Sequence, residues 1–235
     1  GDARVALAAL ERAVETTVAA DGDEVGVEAV EDALQRKALL YDRAGDRHYD
    51  YISAWIKATR GSDVDASIYY LAVMLEGGED PRFIARRMVI LASEDVGNAD
   101  PQALVVATAA AQAVDRVGLP ECALNLAQAA AYLALAPKSN AATKAIGRAS
   151  AHVREHGAGE PPPYLQDAHY PGAAALGRGQ GYRYPHDEPG GVSDQPLLPD
   201  GVRGERFYEP TDRGFEAELG RRIESLRRRL VGDSG

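Results

Sequence analysis

Apolar side chains recur every three or four positions along most of the chain up to Gly157, and this spacing predicts a series of amphipathic α-helices. The first helix is expected from about Asp2 to Ala20, and a short second helix follows the break at 21–23. Most of the later helices are expected to begin at a capping residue or a proline and to end at glycine or proline. The predicted starts are Asp46, Asp80-Pro81, Asp100-Pro101, Pro120, and Ser139 or Asn140; the predicted ends include Gly61, Gly77-Gly78, Gly118, Pro137 and Gly157.

The larger apolar residues define the predicted helix faces. In the helix after Asp46, the side chains of Tyr49, Ile52, Trp55 and Ile56 are expected to face inward. The helix after Asp100 carries Leu104, Val105 and Val114. No alternating pattern typical of strands is found, and the connections between helices are short. The sequence therefore predicts an all-α fold in which consecutive helices pack antiparallel.

The segment from Gly157 to Asp212 has a different character, because prolines and glycines are interleaved there with five tyrosines. So long a coil is unusual inside a compact domain, and disordered tails seldom contain so many aromatic residues. We expect an extended arm that lies on helices of its own subunit or of a neighbour. A terminal helix follows, capped by Asp212. Its apolar stripe consists of Phe215, Leu219, Ile223, Leu226 and Leu230.

The composition argues against two classes of protein, free-standing nucleic-acid binders and membrane-spanning proteins. The chain has 235 residues, is 45% hydrophobic and carries a formal net charge of −10. An acidic chain repels phosphate, so a free-standing nucleic-acid binder is not expected. No apolar run reaches the roughly 20 residues of a membrane span, and no membrane partner is expected. A single cysteine, Cys122, is predicted to be a packed free thiol, which suits the reducing cytoplasm.

No catalytic residues are predicted, since the chain lacks a GxxxxGK[ST] loop, HExxH, paired CxxC and GxSxG. Glu94 and Asp95 point about 100° apart on a helix and do not form a facing dyad. A stand-alone helical enzyme that uses Glu94, Asp95 or His48 remains the weakest alternative. His152 and His156 have metal-ligand spacing, but exposed residues near a helix end are the simpler interpretation, so no metal site is predicted.

Basic residues suggest contacts with phosphate at three places. Arg4 lies one turn into the first helix, where a guanidinium could touch a nucleotide phosphate. Lys138 stands at a helix start, which favours anions and makes it a possible DNA contact, although a plain helix boundary is the simpler interpretation. The terminal helix is locally basic and is a candidate DNA contact through Arg221, Arg222, Arg227, Arg228 and Arg229, which could instead pair with the acidic body.

Four strings, in this order and spacing, give the chain a family resemblance: SEDVGNADP, LAPKSNAA, GYRYPHDEPGG and FYEPTDRG. They resemble the C-terminal half of the RarA/MgsA family of AAA+ ATPases, which are related to the Werner-helicase-interacting protein. Gly1-Asp2-Ala3-Arg4 is similar to the start of that family's sensor 2 helix. The stretch YDRAGDRHYDYISAWIKATRGSD is similar to its link between the lid and the C-terminal domain.

The resemblance implies a division into two parts. Residues 1–62 would be the remnant of an AAA+ lid with connecting helices, and residues 63–235 a C-terminal oligomerisation domain like a clamp-loader collar. In this domain the arm would span about 157–212 and the terminal helix about 213–231. Arg4 would be the one nucleotide-binding residue present, acting as sensor 2 in the intact protein. Catalysis by this piece alone is not expected.

The resemblance also implies a function for the intact protein. It would be a DNA-dependent ATPase that uses ATP and Mg²⁺ in replication-fork maintenance, recombination and repair. Expected partners are further copies of the chain in a homotetramer, DNA ends and fork junctions, and single-strand-binding protein. Such a protein would be cytoplasmic and associated with the nucleoid. The alternative is a DNA-binding helical module that uses the basic terminal helix.

Overall fold

The computed structural model describes residues 2–19, 22–31, 33, 46–170 and 172–231, without the side chains of 2–5, 8, 12, 15, 19, 46–48, 174, 230 and 231. These residues contain helices and turns and no strand, which confirms the predicted all-α class. No helix among them is long and apolar enough to cross a membrane.

Eight α-helices account for most of the described chain. Their bounds are α1 Asp2–Ala19, α2 Asp46–Arg60, α3 Val64–Glu76, α4 Pro81–Leu91, α5 Gln102–Val117, α6 Cys122–Leu135, α7 Ala141–His156 and α8 Glu216–Val231. Residues 27–31 form a further short helical stretch. The predicted Asp-Pro start of α4 is confirmed, because the Asp80 carboxylate accepts a hydrogen bond from the Arg82 amide at 2.9 Å.

The chain divides into an N-terminal unit, Gly1–Lys138, and a C-terminal unit, Ser139–Gly235. In the N-terminal unit, helix α6 is central and packs against α2, α3, α4 and α5. The core holds large side chains from each of these helices, such as Trp55, Leu71, Met88 and Leu126. Cys122 is fully buried within it, which confirms the packed thiol, and burial raises the pKa of that thiol.

Alanines form most of the inner face of α5, together with Val114, which is buried as its place in the predicted pattern suggests. Ala103, Ala107 and Ala110 are buried, whereas Leu104 and Val105 face outward. Short side chains let helix axes approach closely, which suits α5 to its packing against both α4 and α6. The predicted inward position of Tyr49 was wrong, because its side chain is exposed. The other three residues predicted for this face, Ile52, Trp55 and Ile56, do face the core, with Ile56 only partly buried.

The C-terminal unit has a different construction. Its arm contains no α-helix or strand from Gly157 to Phe215 in the part that the structure describes, only five short 3-10 turns. Helix α8 begins at Glu216, later than a cap at Asp212 predicts. The buried residues described in this unit are small or polar: Ser139, Ala141, Pro162, Ala173, Ser193 and Glu216.

Candidate functional site

The residue predicted to contact nucleotide lies at the start of the chain. Helix α1 spans Asp2–Ala19, so the backbone of Arg4 is in the first helical turn, as the sequence predicts. Its side chain lies outside the described residues. The role of Arg4 as sensor 2 therefore stays a prediction.

The acidic pair Glu94-Asp95 lies in a single π-helical turn, Ala92–Val96, that follows α4. Asp95 is buried, and its two carboxylate oxygens accept hydrogen bonds from Arg60, from Nε at 2.6 Å and from Nη2 at 3.1 Å. The hydrogen bond to Asp95 raises the pKa of Arg60. The Asp95 carboxylate is thus held by Arg60 and is not free for acid–base chemistry. The side chain of His48, the third residue of that alternative, lies outside the described residues.

Lys138 is held by the end of helix α6. Its ammonium donates to the carbonyl oxygens of Ala134 at 2.8 Å and Ala136 at 2.7 Å, and to Ser62 Oγ at 3.2 Å. Burial lowers the pKa of Lys138, and the nearby Asp95 charge opposes this effect. These contacts favour the helix-boundary interpretation, because a cation stabilises carbonyls at a helix C-terminus. A contact between Lys138 and DNA stays an untested prediction.

The terminal helix presents its arginines unequally. Arg221, Arg222, Arg228 and Arg229 are exposed, and at 100° per residue they share one face of α8. Arg227 is half-buried and donates from Nη2 to the carbonyl oxygen of Tyr208 at 2.7 Å. We call the four exposed side chains the arginine face. Of the five candidate DNA contacts on this helix, four thus lie exposed on one face and one anchors the helix to the arm.

Glu216 is a buried carboxylate that the sequence did not single out. Its side chain is fully buried and accepts hydrogen bonds from Ser139 Oγ at 2.6 Å, Tyr208 Oη at 3.0 Å, and Thr211 N and Oγ1 at 2.8 Å. Burial alone would raise the pKa of Glu216, but these hydrogen bonds outweigh burial and lower it. Glu216 therefore joins the start of α7, the end of the arm and α8.

The remaining polar clusters offer little chemistry. The rings of His152 and His156 lie 4.5 Å apart between centroids, and His152 packs edge-on against Phe207. No group of three or more histidine, cysteine or acidic side chains that could hold a metal ion occurs among the described residues. An open cavity of about 460 Å³ is lined by Arg183, Glu188, Asp194 and Arg229, where Arg183 is paired with both carboxylates.

Two family models together cover nearly the whole chain. The model described as MgsA AAA+ ATPase C terminal matches residues 61–227, and the model described as AAA C-terminal domain matches residues 1–60. They meet at the end of helix α2. The predicted boundary between residues 62 and 63 lies close to this junction, but the division of roles between the two parts stays a prediction.

Individual relatives cover the same region. An uncharacterized AAA domain-containing protein of Mycobacterium tuberculosis is 54% identical over 97% of this chain and 50% of its own length. Replication-associated recombination protein A of Bacillus subtilis is 44% identical over 97% of this chain and 55% of its own length. The ATPase WRNIP1 of Dictyostelium discoideum is 42% identical over 75% of this chain and 20% of its own length.

The chain spans about half the length of the bacterial relatives that it matches. Its similarity to them runs through both the helical core and the arm with its terminal helix, since the larger family model ends at residue 227, within α8. The resemblance first indicated by four short strings is thereby confirmed. The chain belongs to the RarA/MgsA family of AAA+ ATPases and corresponds to its C-terminal region.

Proposed function

We propose that this chain is the lid and self-assembly region of a DNA-dependent AAA+ ATPase that acts in replication-fork maintenance, recombination and repair. The intact protein would bind ATP and Mg²⁺, with Arg4 reaching the nucleotide from the lid. It would form a homotetramer, bind DNA ends and fork junctions, and contact single-strand-binding protein near the nucleoid. The names of the relatives from Bacillus subtilis and Dictyostelium discoideum support the setting in recombination and the ATPase activity.

The observation that best supports self-assembly is the poor apolar core of the C-terminal unit. The buried cluster of large apolar residues belongs to the N-terminal unit. Helix α7 has one buried residue, Ala141, whereas Ile146 and Val153 are 68% and 52% exposed. These two side chains are seven positions apart and share one helix face. An amphipathic helix gains most of its stability by burying its apolar face, so α7 is suited to bury this face against another copy.

Light scattering tests this assembly directly. The chain is expected to run near four times its 25.0 kDa mass. Replacing Ile146 and Val153 together by serine should lower the mass toward that of a monomer. The matched control replaces the exposed Lys144 and Arg154 of the same helix by serine and should leave the mass unchanged. A monomeric wild-type chain at micromolar concentration would contradict the tetramer.

The arginine face supports a second candidate function, direct contact with DNA. Four guanidinium groups on one side of α8 give a local basic surface on a chain whose net charge is −10. Arginine binds phosphate through forked hydrogen bonds and stays charged at any physiological pH. This surface would contribute sequence-independent affinity, and it would require no base contacts.

Binding of fluorescent junction DNA at low salt tests this second function. Replacing Arg221, Arg222, Arg228 and Arg229 by glutamine should weaken binding and reduce its dependence on salt concentration, because fewer counterions are released. The control replaces Arg203, Arg206 and Arg213, which are exposed in or near the arm, and should change binding little. Equal loss in both variants would indicate a general charge effect rather than a site on α8.

A further inference from the structure

The two family models meet between residues 60 and 61, but the hydrophobic core is continuous across this point. Helix α2 ends at Arg60, where the AAA C-terminal domain model also ends. Nevertheless Ile52 and Trp55 of α2 are buried in the same core as α3, α4 and α6. The last helix of the first family region is therefore built into the hydrophobic core of the second.

Polar contacts join the last turn of α2 to two other elements, helix α3 and the π-helical turn Ala92–Val96. Thr59 Oγ1 lies 2.8 Å from Ser67 Oγ of α3, and both residues are fully buried. Arg60 holds both carboxylate oxygens of Asp95, while Glu94 adds a longer ion pair at 3.9 Å. A forked arginine–carboxylate pair fixes orientation as well as distance. The end of α2 cannot rotate without breaking these contacts.

The π-helical turn that carries Asp95, the partner of Arg60, is linked to helices α5 and α6. The π-helical turn Ala92–Val96 is followed by Gly97, whose φ of 53° permits a sharp change of direction. Asp100 then accepts hydrogen bonds from the Gln102 amide of α5 at 3.1 Å and from the Tyr132 hydroxyl of α6 at 2.7 Å. Single π-helical turns inside helices are frequent at functional positions.

We propose that the Arg60–Asp95 pair is a positioning contact through which nucleotide-dependent movement of the lid region reaches the helical core. This inference rests on the proposed function of the chain as a lid and assembly region. Helix α2 is packed into the same core as α3, α4 and α6, so a displacement of α2 is transmitted to the core and is not absorbed at the junction between residues 60 and 61. The π-helical turn passes the displacement on to α5 and α6.

Hydrogen exchange of the intact ATPase, with and without a non-hydrolysable ATP analogue, tests this role. In the wild type, the analogue should change amide exchange at residues 92–99 by about threefold or more, a readout that a purely structural pair would not produce. Arg60→Gln and Asp95→Asn should each abolish this nucleotide-dependent change, and the double variant should behave like either single variant. Arg60→Lys keeps the charge but not the fork and should restore only part of the change.

The matched control is Arg82→Gln, which removes another ion pair of the N-terminal unit, between Arg82 Nε and Asp115 Oδ1 at 2.6 Å. It should leave the nucleotide-dependent exchange at residues 92–99 intact. Unchanged exchange there on adding nucleotide to the wild type, or a normal response in Arg60→Gln, would overturn the inference. If Arg60→Gln fails to fold, Asp95→Asn and Arg60→Lys decide the question.

ATP turnover of the wild-type intact protein, measured together with hydrogen exchange, distinguishes failure of the positioning role from failure of the proposed function. A wild type that hydrolyses ATP while Arg60→Gln responds normally contradicts the positioning role alone. A wild type that neither binds nor hydrolyses ATP contradicts the proposed function itself.

Discussion

Ser139 Oγ donates a hydrogen bond of 2.6 Å to Glu216 Oε2, although the two residues are 77 positions apart in the chain. The same carboxylate accepts hydrogen bonds from Tyr208 and Thr211 at the end of the arm. Ser139 also accepts a hydrogen bond from the Ala141 amide at the start of α7. In a unit with few buried apolar residues, this polar cluster fixes where helices α7 and α8 begin.

Removing the Glu216 carboxylate should destabilise the C-terminal unit. Glu216→Ala leaves the hydroxyls of Ser139, Tyr208 and Thr211 without their shared acceptor, and hydrogen bonds to charged groups contribute roughly 1.5–3 kcal/mol each. We expect a loss of about 3 kcal/mol in the free energy of unfolding, measured by urea denaturation followed by circular dichroism. Glu218→Ala, an exposed acidic residue on the same helix, should change it by less than about 0.5 kcal/mol.

The lowered pKa of Glu216 also predicts how stability depends on pH. A carboxyl whose pKa is lower in the folded state contributes its stabilisation above its unfolded pKa of about 4.5 and loses it as pH falls through the folded value. The unfolding free energy of the wild type should therefore decrease below about pH 4.5. Glu216→Gln should flatten this decrease, leaving the parts due to Glu209 and Asp167, whose pKa values are lowered by Arg148 and His169. An unchanged slope would contradict the assignment.

Leu126 tests the core around helix α6. It is fully buried, so Leu126→Ala should leave a cavity and reduce stability by about 2–5 kcal/mol. Trp55 is the single tryptophan and lies in the same core, so its fluorescence reports this unfolding. Leu124→Ala provides a matched control two positions away, where the side chain is 75% exposed, and a comparable loss there would contradict the described packing.

Arg4 is best tested in the intact ATPase. If it contacts nucleotide from the lid, Arg4→Ala should reduce ATP turnover at least about tenfold, because a charged donor to phosphate is lost from the transition state. Assembly, measured by light scattering, should be unchanged. Glu11→Ala on the exposed side of the same helix should preserve turnover. Normal turnover in Arg4→Ala would refute the sensor role.

Local signals in the sequence predicted the helices well. The Asp80-Pro81 start and the end of α3 at Gly77 depend on capping chemistry within a few residues, and both were confirmed. The inner face of α5 was predicted only at Val114, because hydrophobicity favours Leu104 over Ala103, whereas close packing against neighbouring helices favours the smaller residue. Periodicity locates a helix more reliably than it selects the face that a neighbouring helix will cover.

The polar contacts could not be predicted from one sequence. Arg60 and Asp95 are 35 positions apart, and Ser139 and Glu216 are 77 apart, so no local spacing relates them. The quoted strings SEDVGNADP, LAPKSNAA and FYEPTDRG do contain Asp95, Lys138, Ser139, Tyr208 and Thr211. The family resemblance thus marked several of the right segments, but only three-dimensional packing shows which side chains meet.

The burial of Cys122 has a practical consequence for measuring movement in this protein. A thiol that is both inaccessible and held in its protonated form reacts slowly with maleimide dyes. Since it is the sole cysteine of the chain, a cysteine introduced on the surface would take up label selectively without deleting the native one. Pairs of dyes placed on α1 and α3 would then report distances between these helices during a nucleotide cycle.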